Sequence, residues 1–309
     1  MPNDKPVDYF ARPGEETRAF AFQPVDAARA ITLSKAQIEH FNTNGFIAPL
    51  PVFGADEMAP IREYFDDLID TVVSSDDRRN SYSINAYHLV CEGLYDLVVE
   101  PRILDYVQDI LGPNFVAWGS QVFCKLPGDR SEIPLHQDAP YWPFTSTKSV
   151  TVWLAIDDVD VENASMEFVP GSHLLGPLPH VELALDGSRV LKHAVAEPAR
   201  FSERYHDVMT AGSCSLHTDL LLHGSPPNAS ERRRAGLTMR YTAADVGIMP
   251  GAESWLKPTV HCRGDIPGRW PHRRPPAGEH PEKMAAFTGT FDGNPPDTST
   301  APDRSRAQP

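Results

Sequence analysis

A mainly β domain, a sandwich or barrel with helices packed at its N-terminal side, is the fold class this sequence predicts, and three observations lead to it. Between residues 34 and 112, apolar residues recur at helical spacing between recognisable start and stop signals. Beyond Gly112 the texture changes to short β-branched and aromatic runs, at 115–126, 149–157, 165–169, 213–223 and 235–242, broken by Gly, Pro, Asn and Asp. Short strands with such turn signals favour a layered or closed β architecture. The 309 residues are enough to bury one sizeable core.

Each element has its own signal. Residues 1–30 lack periodicity and read as an arm lying over the domain. Ser34 is placed to cap a helix, with Gln37 three residues on as in a capping box. Ile38 and Phe41 give that helix its apolar face, and Gly45 ends it. A second helix is expected over 56–73, on Ile61, Phe65, Leu68, Ile69 and Val72. A third starts at Pro101, a favoured first-turn residue, buries Ile103, Val107, Ile110 and Leu111, and stops at Gly112. Residues 174–211 form a long mixed connection of the kind that covers a binding site. From Pro271 onward the chain is rich in Pro, Gly, Asp and Ser, and disorder is expected there. The organisation is an arm at 1–30, one domain at 31–270 with helices to 112 and a β core over 113–250, and a tail at 271–309.

Charge and cysteine content exclude several classes. A net charge of −14 lacks the basic footprint that nucleic acids or anionic membranes require. Cys91, Cys124, Cys214 and Cys262 form no CxxC pair and no zinc-like spacing, so they read as buried free thiols in a reducing compartment. The polar N-terminus MPNDKPVDYF has no apolar signal-peptide core, and no run approaches the ~18 apolar residues of a membrane span. A cytoplasmic protein is expected, which makes the glycosylation sequons at Asn163 and Asn228 coincidental.

Chemistry concentrates in Pro134-Leu135-His136-Gln137-Asp138. On an extended segment alternate residues share a side, so His136 and Asp138 project together, about 7 Å apart by strand rise. That suits two ligands of one metal. His223 is the best third ligand: it ends an apolar run, Leu220-Leu221-Leu222, and precedes Gly224 and a Pro-rich turn, a strand mouth where a site opens. Two imidazoles and one carboxylate make the facial triad of non-haem Fe(II) oxygenases, with three coordination positions left for a bidentate 2-oxo acid and dioxygen. Arg234, eleven residues after His223, can pair bidentately with a carboxylate, and Ser225 and Ser230 add hydroxyls. His217-Thr218-Asp219 is a second His-x-Asp, read as packing or support for the first. His173 reads as a hydrogen-bonded loop residue, and Asp157, Asp158, Asp160 and Glu162 as a solvated acidic loop. Tyr141, Trp142, Phe144 and Trp153 either line a substrate pocket or pack in the core.

The stretches LHQDAPYW, VTVWLAIDDVDVENASMEFVPGSH, LHTDLLLHGSPPNAS and RRRAGLTMRY, together with ITLSKAQIEHFNTNGFIAPLPVF and ILGPNFVAWGSQVF, resemble the phytanoyl-CoA dioxygenase family across roughly residues 31–250. More narrowly they resemble its branch of syringomycin-type non-haem halogenases. The resemblance implies a double-stranded β-helix, the jelly-roll or cupin-like core. It also implies Fe(II) on His136, Asp138 and His223, and 2-oxoglutarate with its far carboxylate on Arg234 aided by Ser225. Gln121 and Arg240 fall at supporting positions around the cosubstrate, whereas the lysine some relatives use there has no match. The halogenases carry Ala or Gly where this chain has Asp138, so hydroxylation or a related oxidation is expected in place of chlorination. With O2 as oxidant, the implied reaction converts 2-oxoglutarate to succinate and carbon dioxide while oxidising a small substrate, amino-acid-like or a natural-product intermediate. A halogenase, and a jelly-roll binding protein or cupin-like metalloprotein that uses no 2-oxoglutarate, are the alternatives.

Overall fold

The computed structural model describes residues 18–77, 79–183 and 189–286. The chain runs α1 (Lys35–Asn44), β1 (Phe46–Pro51), α2 (Ala55–Val73), α3 (Glu92–Val98), α4 (Pro101–Leu111), β2 (Phe115–Lys125), β3 (Ile133–His136) and β4 (Ser149–Ala155). It continues through β5 (Glu167–Phe168), β6 (His180–Glu182), β7 (His193–Val195), β8 (Tyr205–His206), β9 (Ser213–Thr218), β10 (His223–Ser225), β11 (Arg234–Ala243) and β12 (Val260–Arg263). The capping box forms as the sequence predicts: Ser34 Oγ accepts from the Gln37 amide at 3.3 Å, and Gln37 Oε1 accepts from the Ser34 amide at 2.8 Å. Gly45 closes α1 at φ 87°, a left-handed conformation that glycine adopts without strain.

The strands form a six-stranded sheet, β1-β9-β4-β11-β2-β12, a four-stranded sheet, β3-β10-β5-β8, and the hairpin β6-β7. Every pairing is antiparallel, and the architecture is the jelly-roll core of the cupin-like oxygenases. Strand β11, at the centre of the large sheet, explains how one sheet serves two purposes. Its residues alternate in side. Ala235, Leu237, Met239 and Tyr241 join the main core with Ile38, Phe41, Phe65 and Ile103 of the helices. Arg234, Thr238 and Arg240 face a cavity on the other side. The helices thus seal one face of the sheet, and the four-stranded sheet faces the other. Truncating a fully buried member of the sealed face, such as Leu237, costs about 2–5 kcal/mol.

Several elements depart from the sequence reading. The run 213–223 is two strands, not one, with Asp219–Leu222 turning between the sheets, so His223 opens β10 and does not end a strand. Leu220, Leu221 and Leu222 are fully buried in that turn; an apolar run reports burial, not strand. Where most of the chain beyond Pro271 was expected to be disordered, the described part is anchored near its far end, at residues 279–284. Glu279 accepts from Tyr64 Oη at 2.9 Å and from the Gly93 amide at 2.7 Å, His280 N donates to Val90 O at 2.9 Å, and Met284 enters the main core. Three anchoring residues fix a segment whose composition is otherwise that of a coil; the rest of the tail, 287–309, lies outside the described residues. The acidic loop is ion-paired: Arg233 grips Asp157 through two hydrogen bonds at 2.9 and 3.0 Å, and Arg232 contacts Asp160 and Glu162. Cys91, Cys124 and Cys214 are buried free thiols. No helix among the described residues is long and apolar enough to cross a membrane.

Candidate metal centre

Strand pairing builds the centre. In the β3–β10 ladder His136 lies directly opposite His223, which brings the two imidazoles to a ring-centroid separation of 4.3 Å. The strands approach closely there, since a Cβ on Gly224 would lie 2.6 Å from Ile133 O. Asp138 follows two residues beyond His136. Donor atoms of His136, Asp138 and His223 all lie within 4.8 Å of one another, and all three residues are buried.

The protonation pattern suits a metal. His136 Nδ1 lies 2.9 Å from Pro134 O and His223 Nδ1 lies 3.0 Å from Leu221 O. A carbonyl only accepts, so each ring carries its proton on Nδ1 and offers a bare Nε2 lone pair, the tautomer a metal ligand needs. Burial keeps His223 neutral, with its pKa pulled down to about 4. Burial disfavours the Asp138 carboxylate, but its polar surroundings, the Arg240 guanidinium among them, outweigh it and hold the group well below the usual carboxylate range. Thr151 Oγ1 donates to Asp138 Oδ2 at 3.4 Å, leaving Oδ1 facing His136 Nε2 at 3.5 Å. Arg18 of the N-terminal arm fastens the loop that follows, donating to the carbonyls of Ala139, Trp142 and Phe144 at 3.3, 2.6 and 2.9 Å.

The triad opens on a cavity of about 210 Å³. At its far end lies Arg234, fully buried, donating through Nε to Ala164 O and through Nη2 to Ser225 Oγ, both at 3.1 Å, with its guanidinium 5.6 Å from the Trp153 ring. No carboxylate among the described residues lies within ion-pair distance, and burial lowers the pKa of this guanidinium. An uncompensated buried cation is costly, and its forked donors match a carboxylate from outside. Gly236, two residues on, leaves the space Trp153 occupies: a Cβ there would sit 2.0 Å from the indole. Lys125, also buried near Arg234, is no substitute for the missing lysine of the resemblance, because its ammonium donates to the backbone carbonyls of Ser131, Ser225 and Pro226.

Gln121, Arg240, Tyr141, Trp142 and Trp153 line the cavity. Phe144 does not; it packs against Trp118 in an aromatic cluster with Trp270, because the loop turns it away behind Trp142. Ser230 is likewise elsewhere, bonded to Asn228 in a turn. His173 bonds to the Asn42 carbonyl beneath Phe22, a loop role. Sequence reasoning missed Thr151, Phe123 and Thr238 in the wall. Counting every second residue inward from Arg234 along its strand would have found Thr238, and the same alternation through Trp153 would have found Thr151.

Comparison with known proteins agrees with this picture. The sequence profile described as Phytanoyl-CoA dioxygenase (PhyH) matches residues 41–236. The peroxisomal phytanoyl-CoA dioxygenase of Bos taurus is 32% identical over 160 residues, 50% of this chain and 47% of that protein. A probable alpha-ketoglutarate-dependent hypophosphite dioxygenase of Stutzerimonas stutzeri is 28% identical over 174 residues, 54% of this chain and 59% of the relative. The chain therefore spans about half the length of the curated relatives it matches. Among solved structures, the apo form of the non-haem monooxygenase ThoJ superposes with a TM-score of 0.66 at 26% identity, covering 81% of this chain and 91% of that one. With the profile match extending over most of the described β core and the metal triad inside it, the chain belongs to the phytanoyl-CoA dioxygenase family.

Proposed function

We propose that this chain is an Fe(II)- and 2-oxoglutarate-dependent oxygenase that hydroxylates, or otherwise oxidises, an unactivated C–H bond of a small molecule. One observation carries the reading: a His–Asp–His triad and a buried arginine without a carboxylate partner face the same cavity. His136, Asp138 and His223 would hold iron, and Arg234 with Ser225 would hold the far carboxylate of 2-oxoglutarate. When bound, iron and cosubstrate supply dioxygen activation coupled to decarboxylation. The chain supplies the rest. Pro134 and Leu221 carbonyls fix the two histidine tautomers, Thr151 orients Asp138, and Trp153 screens the arginine from solvent.

Asp138 favours oxygenation over halogenation, because its carboxylate would take the coordination position a halide needs. The small cavity favours a compact substrate, an amino-acid-like compound or natural-product intermediate, over a bulky thioester. The buried free thiols fit a reducing compartment such as the cytoplasm.

The test is anaerobic addition of Fe(II) and 2-oxoglutarate to the purified protein, followed by exposure to air. A visible charge-transfer band and then succinate are expected. Folded, iron-loaded protein that gives neither would leave a jelly-roll metalloprotein of another kind. Mass spectrometry of a compound library, read for gain of one oxygen or loss of two hydrogens, then identifies the substrate.

A further inference from the structure

The hairpin β6–β7 belongs to neither main sheet, yet it reaches the cavity through Leu191. We infer that it is a gate. Its outer half, residues 181–183 and 189–193, lifts to admit 2-oxoglutarate and substrate, and the ion pair between Glu132 and Arg189 is the clasp that holds it shut. This deepens the oxygenase reading above and rests on it for what passes through.

Leu191 is where the hairpin meets the wall. The other described wall residues stand on strands of the two main sheets or on chain directly adjoining them, as Asp138, Tyr141 and Trp142 adjoin β3 and Met166 adjoins β5. Leu191 comes from the hairpin instead. It is half-buried, which puts it at the rim of the cavity. Two residues on, the His193 ring stands 5.3 Å from that of Tyr141. The return strand of the hairpin thus runs along the rim, beside β3.

The two ends of the hairpin are held unequally. At its base Leu178 and Val195 are buried in a small apolar cluster with Val169 and Leu222. Gln137 pins the same end. Its Oε1 accepts from the Leu178 amide at 2.8 Å, its Nε2 donates to Gly176 O at 2.9 Å, and its backbone amide donates to His180 Nε2 at 3.1 Å. Residues 181–183 and 189–193 are half-buried or exposed, and none of them joins an apolar cluster. Here the chain is held by Glu132, whose Oε1 lies 3.1 Å from Arg189 Nε and whose carbonyl accepts from the Val190 amide at 3.0 Å. The paired side chains are 31 and 42% exposed. An ion pair so open to water contributes little, and segments with few buried apolar contacts are the first to open. The result is a firm pivot at the base and a weak closure near the tip.

Such a device suits the chemistry. Oxidation of an unactivated C–H bond needs water kept out, while cosubstrate and product must pass. Glu132 and Gln137 both lie on or beside β3. Raising the outer half breaks contacts at Glu132 alone and leaves the β3–β10 ladder, with His136 opposite His223, as it is.

Two measurements on the full chain test the gate: hydrogen exchange over 189–193, read by mass spectrometry, and the rate at which 2-oxoglutarate develops the charge-transfer band of anaerobic, Fe(II)-loaded protein. Residues 189–193 should exchange about tenfold or more faster than Leu178 and Val195. Arg189→Glu sets like charges in the clasp and should quicken both exchange and band formation about three- to tenfold. Combining it with Glu132→Arg rebuilds the pair in reverse and should return both to native values. Glu132 and Arg189 also face each other in a parallel bridge. Neighbouring strands lie about 4.8 Å apart, within the span of a disulfide. Glu132→Cys with Arg189→Cys, once oxidised, should slow band formation about tenfold or more by removing an open state of roughly 0.1–10% population, and a thiol reductant should reverse the effect. Band formation unchanged by the oxidised lock overturns the gate. So does an Arg189→Glu variant that matches native protein in both measurements, or one that the reversed pair fails to restore. A native protein that forms no band refutes the oxygenase reading, and exchange over 189–193 in the variants then decides the gate by itself. A band whose onset ignores both clasp and lock refutes only the gate.

Discussion

Two His-x-Asp segments, 136–138 and 217–219, lie on either side of His223, with ring-centroid distances to it of 4.3 Å for His136 and 4.6 Å for His217. Their chemistry is opposite. His136 has its Nδ1 proton committed to a carbonyl and its Nε2 bare, beside an ionised Asp138. Neither nitrogen of His217 has a hydrogen-bond partner among the described residues; the ring is wedged against Phe168, and burial drives its pKa well below the ordinary value. Asp219 is pushed the other way, well above the carboxylate range, by burial and by the negative charge of Asp138. One segment is an anionic donor set and the other a neutral packed pair. Spacing in sequence does not make a ligand; a fixed tautomer and an ionised acid do.

The largest effect should come from breaking the first segment. Asp138→Ala should lose iron by more than the roughly 10–100-fold that loss of an outer partner costs, read as metal content after desalting. Asp219→Asn should keep its iron, and equal loss from both variants would erase the distinction drawn here. Next, Arg234→Gln should weaken 2-oxoglutarate binding about 10–100-fold, the worth of a charged hydrogen-bonded pair, while iron content holds; titration of the charge-transfer band measures it.

Smaller effects concern the neutral pair. A carboxyl whose folded pKa is raised leaves stability intact below the unfolded pKa and erodes it as pH rises, because the unfolded chain releases a proton the folded chain keeps. Asp219→Asn should therefore raise Tm at pH 7, with the gain fading below pH about 4. A gain that persists unchanged in acid would show that Asp219 is ionised in the fold. Smallest of all, His217→Phe preserves ring shape and removes two unpaired nitrogens, so it should change stability by under about 1.5 kcal/mol and leave iron stoichiometry intact. Lost iron would make His217 a participant.

Much of this was legible in the sequence. The capping box at Ser34, the helix over Ala55–Val73 and the alternating Arg234–Ala243 strand each follow from local chemistry and appear where expected. The triad was legible because a His-x-Asp and a His before Gly are short-range signals. The wall was not: Trp142 both joins the aromatic cluster of Trp118 and Trp270 and lines the cavity, whereas Phe144, two residues on in the same loop, joins only the cluster. That choice is made by residues far along the chain, Trp270 among them. Nor could composition foresee that Glu279 and Met284 would anchor a Pro-rich tail, or that the two His-x-Asp segments would differ in charge. Both depend on tertiary neighbours.

Arg18 has a consequence of its own. It sits 121 residues before Ala139, yet its guanidinium spans three carbonyls of the loop that leaves Asp138. The loop that leaves Asp138, the proposed acid ligand, is thus tethered to the segment around residue 18, and limited proteolysis there becomes a way to detune the centre without altering any proposed ligand. Trimming through residue 18 should leave the circular dichroism of the barrel unchanged while iron dissociates faster; unchanged release would show that the loop holds its shape unaided.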